Sequence, residues 1–340
     1  MATIAVTGAN GFVGSHILEA LQAAEGHGLR VVAGCRAPER LPSGPVRDLR
    51  VGDLRDAAYR RELLQGVDVL CHTAAWTSAW SHARESDRWF LQPTLALIQD
   101  AMEADVRRFV FLSSTSVNAP AEAADPMSRA DPEALDCWPH LRNVARIENA
   151  LRARASAAFG VVTLRVGLFA GRRYGLGLLP LLVPRLKTRL VPWVSGGNTS
   201  LPIVAGADIG RAFVAAARAG GLGPYEAFQI VGPEVPCARE VLEFLHRTYG
   251  LPLPRFNVSF PMAYRFARLM ELLDPLVPWS PLITRSMVHL LEETAPSNAR
   301  AEQRLGYRPQ VPWQEAIRIQ MAEMSQRQRR PMAMHKPLES

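Results

Sequence analysis

The sequence predicts a doubly wound α/β fold with a parallel sheet, followed by a smaller, mostly helical C-terminal lobe. Three observations point there. Short apolar runs alternate with helix-period segments from Thr3 to about Arg165, the pattern of strands joined by right-handed helical crossovers. A glycine-rich loop follows the first apolar run and opens the first helical pattern. After about residue 171 the alternation becomes irregular and proline-rich, which suits an appended lobe better than more sheet.

Thr3 to Val6 is a strand and Phe12 to Ala24 a helix; Leu29 to Gly34 and Leu49 to Gly52 are strands. Asp56 to Gln65 is a helix and Val67 to His72 the fourth strand. Glu85 to Ala104 is a long helix with a kink expected at Pro93, because proline removes a helical hydrogen bond and clashes with the preceding turn. Arg108 to Ser113 is the fifth strand, ending in a polar cluster. Residues 118–137, rich in Ala, Pro and Asp, read as a loop. Trp138 to Phe159 is a helix and Val161 to Arg165 the sixth strand. The organisation expected is a dinucleotide-binding domain over 1–170 with later segments returning to it, a substrate lobe over 171–324, and a disordered tail over 325–340.

The chain has 340 residues, of which 48% are hydrophobic, enough to bury a large core. Its net charge is +7, and a basic surface suits nucleic acid, acidic lipid or a phosphorylated ligand. No long basic run precedes the tail, and the arginines do not cluster with aromatics into a groove, so no nucleic-acid partner is expected. Lys187 and Lys336 are the only lysines. Cys35, Cys71, Cys137 and Cys237 form no CxxC pair, so neither a disulfide framework nor a zinc site is indicated. His72, His82 and His289 have no metal-ligand spacing, and no metal is assigned. There is no leader-like N-terminal pattern and no uninterrupted apolar span. A reducing cytoplasmic setting fits.

The loop reads Thr7-Gly8-Ala9-Asn10-Gly11-Phe12-Val13-Gly14. Gly8 permits the tight turn, Gly11 lets a pyrophosphate approach the backbone, and Gly14 lets helix and strand pack closely. Asn10, Phe12 and Val13 complete the cradle, where free N–H groups and the positive end of the helix dipole face the phosphates. The second strand ends in Cys35-Arg36, where a carboxylate would mark NAD. Arg36 can instead pair with a 2′-phosphate, so NADP(H) is expected over NAD(H). Asp53 and Leu54 follow the third strand, where an adenine edge is met; Asp53 reads equally as a helix cap.

These residues resemble the extended short-chain dehydrogenase/reductase (NAD-dependent epimerase/dehydratase) family. The glycine loop fits TGxxGxxG, and Gly52-Asp53-Leu54 fits the adenine-side motif. His72-Thr73-Ala74-Ala75 resembles the fourth-strand motif, which implies cofactor contact for Thr73, Ala74 and Ala75. Phe111 to Val117 resembles the fifth-strand motif that supplies a catalytic Ser or Thr, matched best by Ser114. Leu164-Arg165-Val166-Gly167 resembles LRPG, and Leu305-Gly306-Tyr307-Arg308-Pro309 resembles the closing LGYxP signature. Ser280 to Arg285 looks like the branch related to 3β-hydroxysteroid dehydrogenase/isomerase, which implies a large apolar alcohol or ketone as substrate.

The resemblance fails at the YxxxK motif, whose Tyr handles a proton and whose Lys lowers the Tyr pKa and holds the nicotinamide ribose. In the register held by Pro139 and Glu148, His140 replaces the Tyr and Val144 the Lys. None of the six tyrosines has a Lys four residues later. Phe90 and Pro93 also stand where the family usually has Asn and Gly. His140 can act as a proton donor, since imidazole titrates near neutrality, or simply pack at a helix start; Ser114 can hold the substrate oxygen or end a strand. Arg142 and Arg146 are discounted on helix spacing. Cys137, three residues before His140, is read as a packed thiol before a nucleophile.

Phe256 to Leu291 mixes large apolar residues with Arg265, Arg268 and Arg285. Such helices suit a lid over an apolar pocket, peripheral contact with an acidic membrane, ordinary core packing, or a homodimer face. Trp76 and Trp80 are further pocket candidates. The expected function is an NADP(H)-binding oxidoreductase with non-standard acid–base residues, acting on a mainly apolar alcohol or ketone. The alternatives are a non-redox lyase, isomerase or cyclase, or a cofactor-binding protein without turnover.

Overall fold

A computed structural model describes residues 2–24, 28–41, 48–78, 80–122, 125–276 and 281–329. The first six strands are β1 (Ala2–Thr7), β2 (Leu29–Cys35), β3 (Asp48–Val51), β4 (Val69–His72), β5 (Arg108–Ser114) and β6 (Gly160–Val166). Three short strands follow, β7 (Leu168–Ala170), β8 (Trp193–Val194) and β9 (Ile203–Ala205), before β10 (Tyr225–Ile230) returns to the main sheet. The seven-stranded sheet runs β3-β2-β1-β4-β5-β6-β10, and every pairing in it is parallel. The order reverses between β1 and β4, the switch point at which such sheets open a ligand crevice.

Period-two alternation splits the core. Ile4 and Val6 of β1 join one buried cluster with α1 (Phe12–Ala23), while Ala5 joins the opposite cluster with α2 (Ala57–Leu64). α7 (Gly206–Arg218) packs on α1 through Ile209, Phe213 and Ala216. The second face is covered by α3 (Ala83–Ser86), α4 (Gln92–Glu103) and α5 (Pro139–Arg154). Strands covered on both faces carry the near-continuous apolar runs seen in β1, β4 and β5.

Two expectations are corrected. The long helix expected over 85–104 is present as one helical run from Ala83 to Glu103, and a π-helical turn, Asp87–Leu91, lies directly ahead of Pro93, where the i→i−4 ladder must give way to the missing proline N–H. α5 ends at Arg154, short of Phe159, because the Ser156 carbonyl-side turn closes on itself: Phe159 N donates to Ser156 Oγ at 3.1 Å and Ser156 N to Phe159 O at 3.0 Å. The last helix runs Trp313–Arg329, so helix continues past Ser325 where a tail is expected; residues 330–340, like Ser280, lie outside the described residues.

The remaining helices are α6 (Leu178–Lys187), α8 (Ala238–Tyr249), α9 (Phe260–Leu273), α10 (Arg285–His289), α11 (Ala299–Leu305) and α12 (Trp313–Arg329). α6, α8 and α12 share a separate apolar cluster built on Leu179, Val241, Leu245 and Ile317. β11 (Asn257–Val258) pairs with β8 and ties the chain before α9 to this lobe.

Candidate active site

The glycine loop sits at the carboxyl end of β1, facing the switch point. Gly8 has φ +65°, and a Cβ there would lie 2.8 Å from the Ala74 Cα. A Cβ on Gly14 would lie 2.2 Å from the Gly8 carbonyl oxygen. These two positions therefore demand glycine, one for its backbone and one for close helix packing. Gly11 is exposed and caps α1 with no side chain over the helix end, and no acidic residue stands in its first turn. The N–H groups at Phe12 and Val13 consequently remain for an anion, so the cradle fits a dinucleotide pyrophosphate. Asn10 Nδ2 donates to the Ala37 carbonyl at 3.0 Å and ties the loop to the end of β2.

The β4 end is stitched to β1. Thr73 Oγ1 donates to the Thr7 carbonyl at 2.8 Å, and Thr7 Oγ1 lies 2.7 Å from His72 Nδ1. His72 Nε2 meets Thr94 Oγ1 at 3.1 Å. Burial pushes the His72 pKa down to about 3, so this imidazole is a neutral strut. Ala74 backs Gly8, and Ala75 beside it is exposed.

Asp53 is not the cap of α2; Asp56 is, accepting from Ala58 N at 2.8 Å. The Asp53 carboxylate is instead gripped by Arg55, with Nε at 3.0 Å and Nη2 at 2.8 Å. That grip, opposed by burial and helped by Arg36, lowers its pKa to about 2. Arg36 lies 3.6 Å from the same carboxylate and is 71% exposed. Arg55 thus occupies the carboxylate and leaves the Arg36 fork largely in solvent at the end of β2. Leu54 packs on the α2 side of the core, and its carbonyl accepts from Arg60 at 2.8 Å.

Ser114 ends β5 and accepts from Ser116 N at 3.2 Å, which leaves its O–H to donate elsewhere. His140 is the second residue of α5, the helix packed on β5 and on the turn after it. Its ring lies 5.0 Å from the Phe90 ring. Burial lowers its pKa to about 4, against a hydrogen bond to the Trp76 backbone. Its Nδ1 is buried without a partner. The expectation that His140 titrates near neutrality is corrected by this burial.

Val144 is 5% exposed and packed with Leu141, Ala145 and Phe90 in the apolar cluster. Glu148, one turn on, forms a buried ion pair with Arg165, Nε at 3.1 Å and Nη2 at 2.8 Å. Cys137 lies ahead of α5, and burial pushes its thiol pKa up, which argues against a nucleophile. Arg146 reaches toward Glu133 at 3.9 Å. Trp76 is half-buried against the core beside His82.

One cluster was not legible in the sequence. His289 Nε2 lies 3.0 Å from the carbonyl of Ser116, and its Nδ1 lies 2.7 Å from Glu292 and 3.4 Å from the Tyr264 hydroxyl. It holds the turn that follows Ser114 from 173 residues away, a separation no local spacing reveals. In the lobe, a cavity of about 60 Å³ is lined by Leu178, Leu182, Trp193, Leu201, Val241 and Leu291 among others. None of its lining residues belongs to the loops after β1, β4 or β5.

Comparison with known proteins agrees with this geometry. The chain is 26% identical over 324 residues to a 4-hydroxy-2-methyl-3-oxo-4-farnesyl-3,4-dihydroquinoline-1-oxide ketoreductase of Stigmatella aurantiaca, covering 92% of this chain and 93% of that one. It is 33% identical over 121 residues to a 3 beta-hydroxysteroid dehydrogenase/Delta 5→4-isomerase of Mycobacterium tuberculosis, covering 34% and 32%. Its fold matches a dTDP-glucose 4,6-dehydratase of Streptomyces venezuelae solved with NAD, with TM-score 0.71, 22% identity, and coverage of 96% and 98%. The model of the NAD dependent epimerase/dehydratase family matches residues 4–230. The chain belongs to the NAD dependent epimerase/dehydratase family.

Proposed function

We propose that the chain is an NADP(H)-dependent oxidoreductase that interconverts a mainly apolar alcohol and ketone, with Ser114 holding the substrate oxygen and His140 in the place of the usual Tyr. The observation that carries this reading is the His140 Nδ1, buried and unpartnered at the head of the helix that packs on β5. A buried polar atom left open in this way is suited to a ligand that completes it.

The pyrophosphate would rest on Gly8 to Gly14, with Arg36 pairing a 2′-phosphate and Asp53 and Leu54 beside the adenine. When bound, the cofactor supplies the hydride acceptor or donor. The residues supply the proton chemistry. In the oxidative direction the open Nδ1, unprotonated in one neutral tautomer of the ring, takes the hydroxyl proton of the alcohol as its carbon loses hydride. Ser114 O–H donates to the same oxygen. In reduction the proton returns from the imidazolium, which a pKa of about 4 makes scarce near neutrality and strongly acidic when formed. The apolar substrate class is supported by the relative that acts on a farnesylated quinoline oxide.

A second reading draws on Val144. With an apolar side chain buried at that position, no cation is offered there to the nicotinamide ribose, which favours a non-redox enzyme or a cofactor-binding protein without turnover. Supplying NADPH with a 3-ketosteroid and a prenylated quinolone separates the two. Loss of the reduced nicotinamide signal with formation of the alcohol supports the first reading. Tight NADPH binding with no turnover on any apolar ketone moves the assignment to the second.

A further inference from the structure

α9 carries apolar residues on two opposite sides. Ala263 and Ala267 are buried against Val194 and Val288, and Phe260 and Tyr264 pack beside them. Met262, Phe266, Leu269 and Leu273 recur at spacings of four, three and four residues, and face away from that contact. They are exposed, as is Leu272 at 66%, and Leu276 just beyond the helix reaches 79%. A helix apolar on both sides normally has both sides covered, and an exposed apolar row of this length marks an interaction surface.

Basic residues lie on α9 and on the segments tied to its two ends. Arg265 and Arg268 are exposed on the same helix. Trp193 N donates to the Phe256 carbonyl at 2.8 Å, which brings exposed Arg255 and Phe256 next to the strand that follows Lys187, Arg189 and Leu190, all exposed. Arg185 Nε donates to the Leu282 carbonyl at 2.9 Å, so the end of α6 also meets the segment after α9. The acidic residues near this end include Glu271, held by Arg285 at 2.7 Å, Glu292, held by His289 at 2.7 Å, Asp136, which faces Arg285, and Asp274 at the helix terminus. Apolar side chains flanked by arginines on the same helix match the two layers of an anionic bilayer surface, with acyl chains under the apolar row and headgroups against the cations. Among the described residues no helix is long and apolar enough to cross a membrane, so the contact is peripheral.

We propose that this end of the lobe, centred on α9, docks the protein on anionic membrane surfaces. The proposal is independent of the reading of the cofactor site, because docking needs no turnover.

The test is flotation of the full chain with phosphatidylcholine vesicles, with and without phosphatidylglycerol. The protein is expected to float with the anionic vesicles about tenfold or more better than with neutral ones, and less well as salt is raised. A Phe266→Ser, Leu269→Ser, Leu272→Ser variant is expected to stay at the bottom while still binding dinucleotide, and an Arg265→Glu, Arg268→Glu variant to lose the preference for anionic lipid. Failure of the wild-type chain to float with either vesicle overturns the proposal. So does a dimer that the triple variant converts to monomer with no vesicle binding, which assigns the row to a second copy of the chain.

Discussion

The ring of Phe90 lies against that of His140, with centroids 5.0 Å apart and planes inclined by 36°. Phe90 is 3% exposed and belongs to the π-helical turn ahead of Pro93. Two residues singled out in the sequence are therefore neighbours, and an apolar wall on the imidazole disfavours its charged form.

His140→Phe should leave the fold intact, since an aromatic ring fills the same space, and should lower turnover about 100-fold or more while changing KM little. Steady-state kinetics on the substrate found by the ketone screen measure both. Unchanged turnover removes His140 from the chemistry.

Stability should fall in mild acid. His72 and His140 have folded pKa values of about 3 and about 4, below the ordinary 6.5. The unfolded chain therefore binds protons first as pH drops, and the contribution of these neutral rings, complete above about 6.5, is lost progressively toward 4. Chemical denaturation across that window should show stability rising with pH, and His140→Phe should flatten the slope.

Gly14→Ala should weaken dinucleotide binding about tenfold or more, because its Cβ would sit 2.2 Å from the Gly8 carbonyl and push α1 off the loop. Overpacking of this kind costs about 1–3 kcal/mol. Binding calorimetry and a melting curve separate loss of affinity from loss of fold.

Glu148→Ala should destabilise the chain by about 3–5 kcal/mol, the usual cost of leaving one member of a buried ion pair without the other. Arg165 is 2% exposed at the side chain and Glu148 1%, so neither finds water in compensation. A denaturant midpoint well below that of the wild type is expected, with α5 the element released from β6.

The sheet and the glycine loop were legible because they are local. Thr3 to Val6, the glycine spacing and the alternation up to Arg165 each lie within one strand or one strand–helix junction. The helical stretch around Pro93 was legible as helix but not in its form, since a π turn answers to packing. The polarity of His140 was not legible: its pKa depends on Phe90 and Trp76, which the fold brings from earlier segments. His289 enters the sequence reading only as a histidine without metal-ligand spacing; its contact with the Ser116 carbonyl was not legible because that partner is backbone and 173 residues away. The pairing of Asp53 with Arg55, two residues on, was within reach of sequence reasoning, as Arg55 follows it directly in the α2 approach.

Calorimetric titration of the purified chain with NADPH and then NADH tests the dinucleotide site and its phosphate clamp directly. NADPH should bind about tenfold or more tightly than NADH, a difference of about 1.4 kcal/mol, and Arg36→Ala should erase that preference while sparing NADH. Binding of neither dinucleotide, or tighter binding of NADH with Arg36→Ala silent, would contradict that assignment.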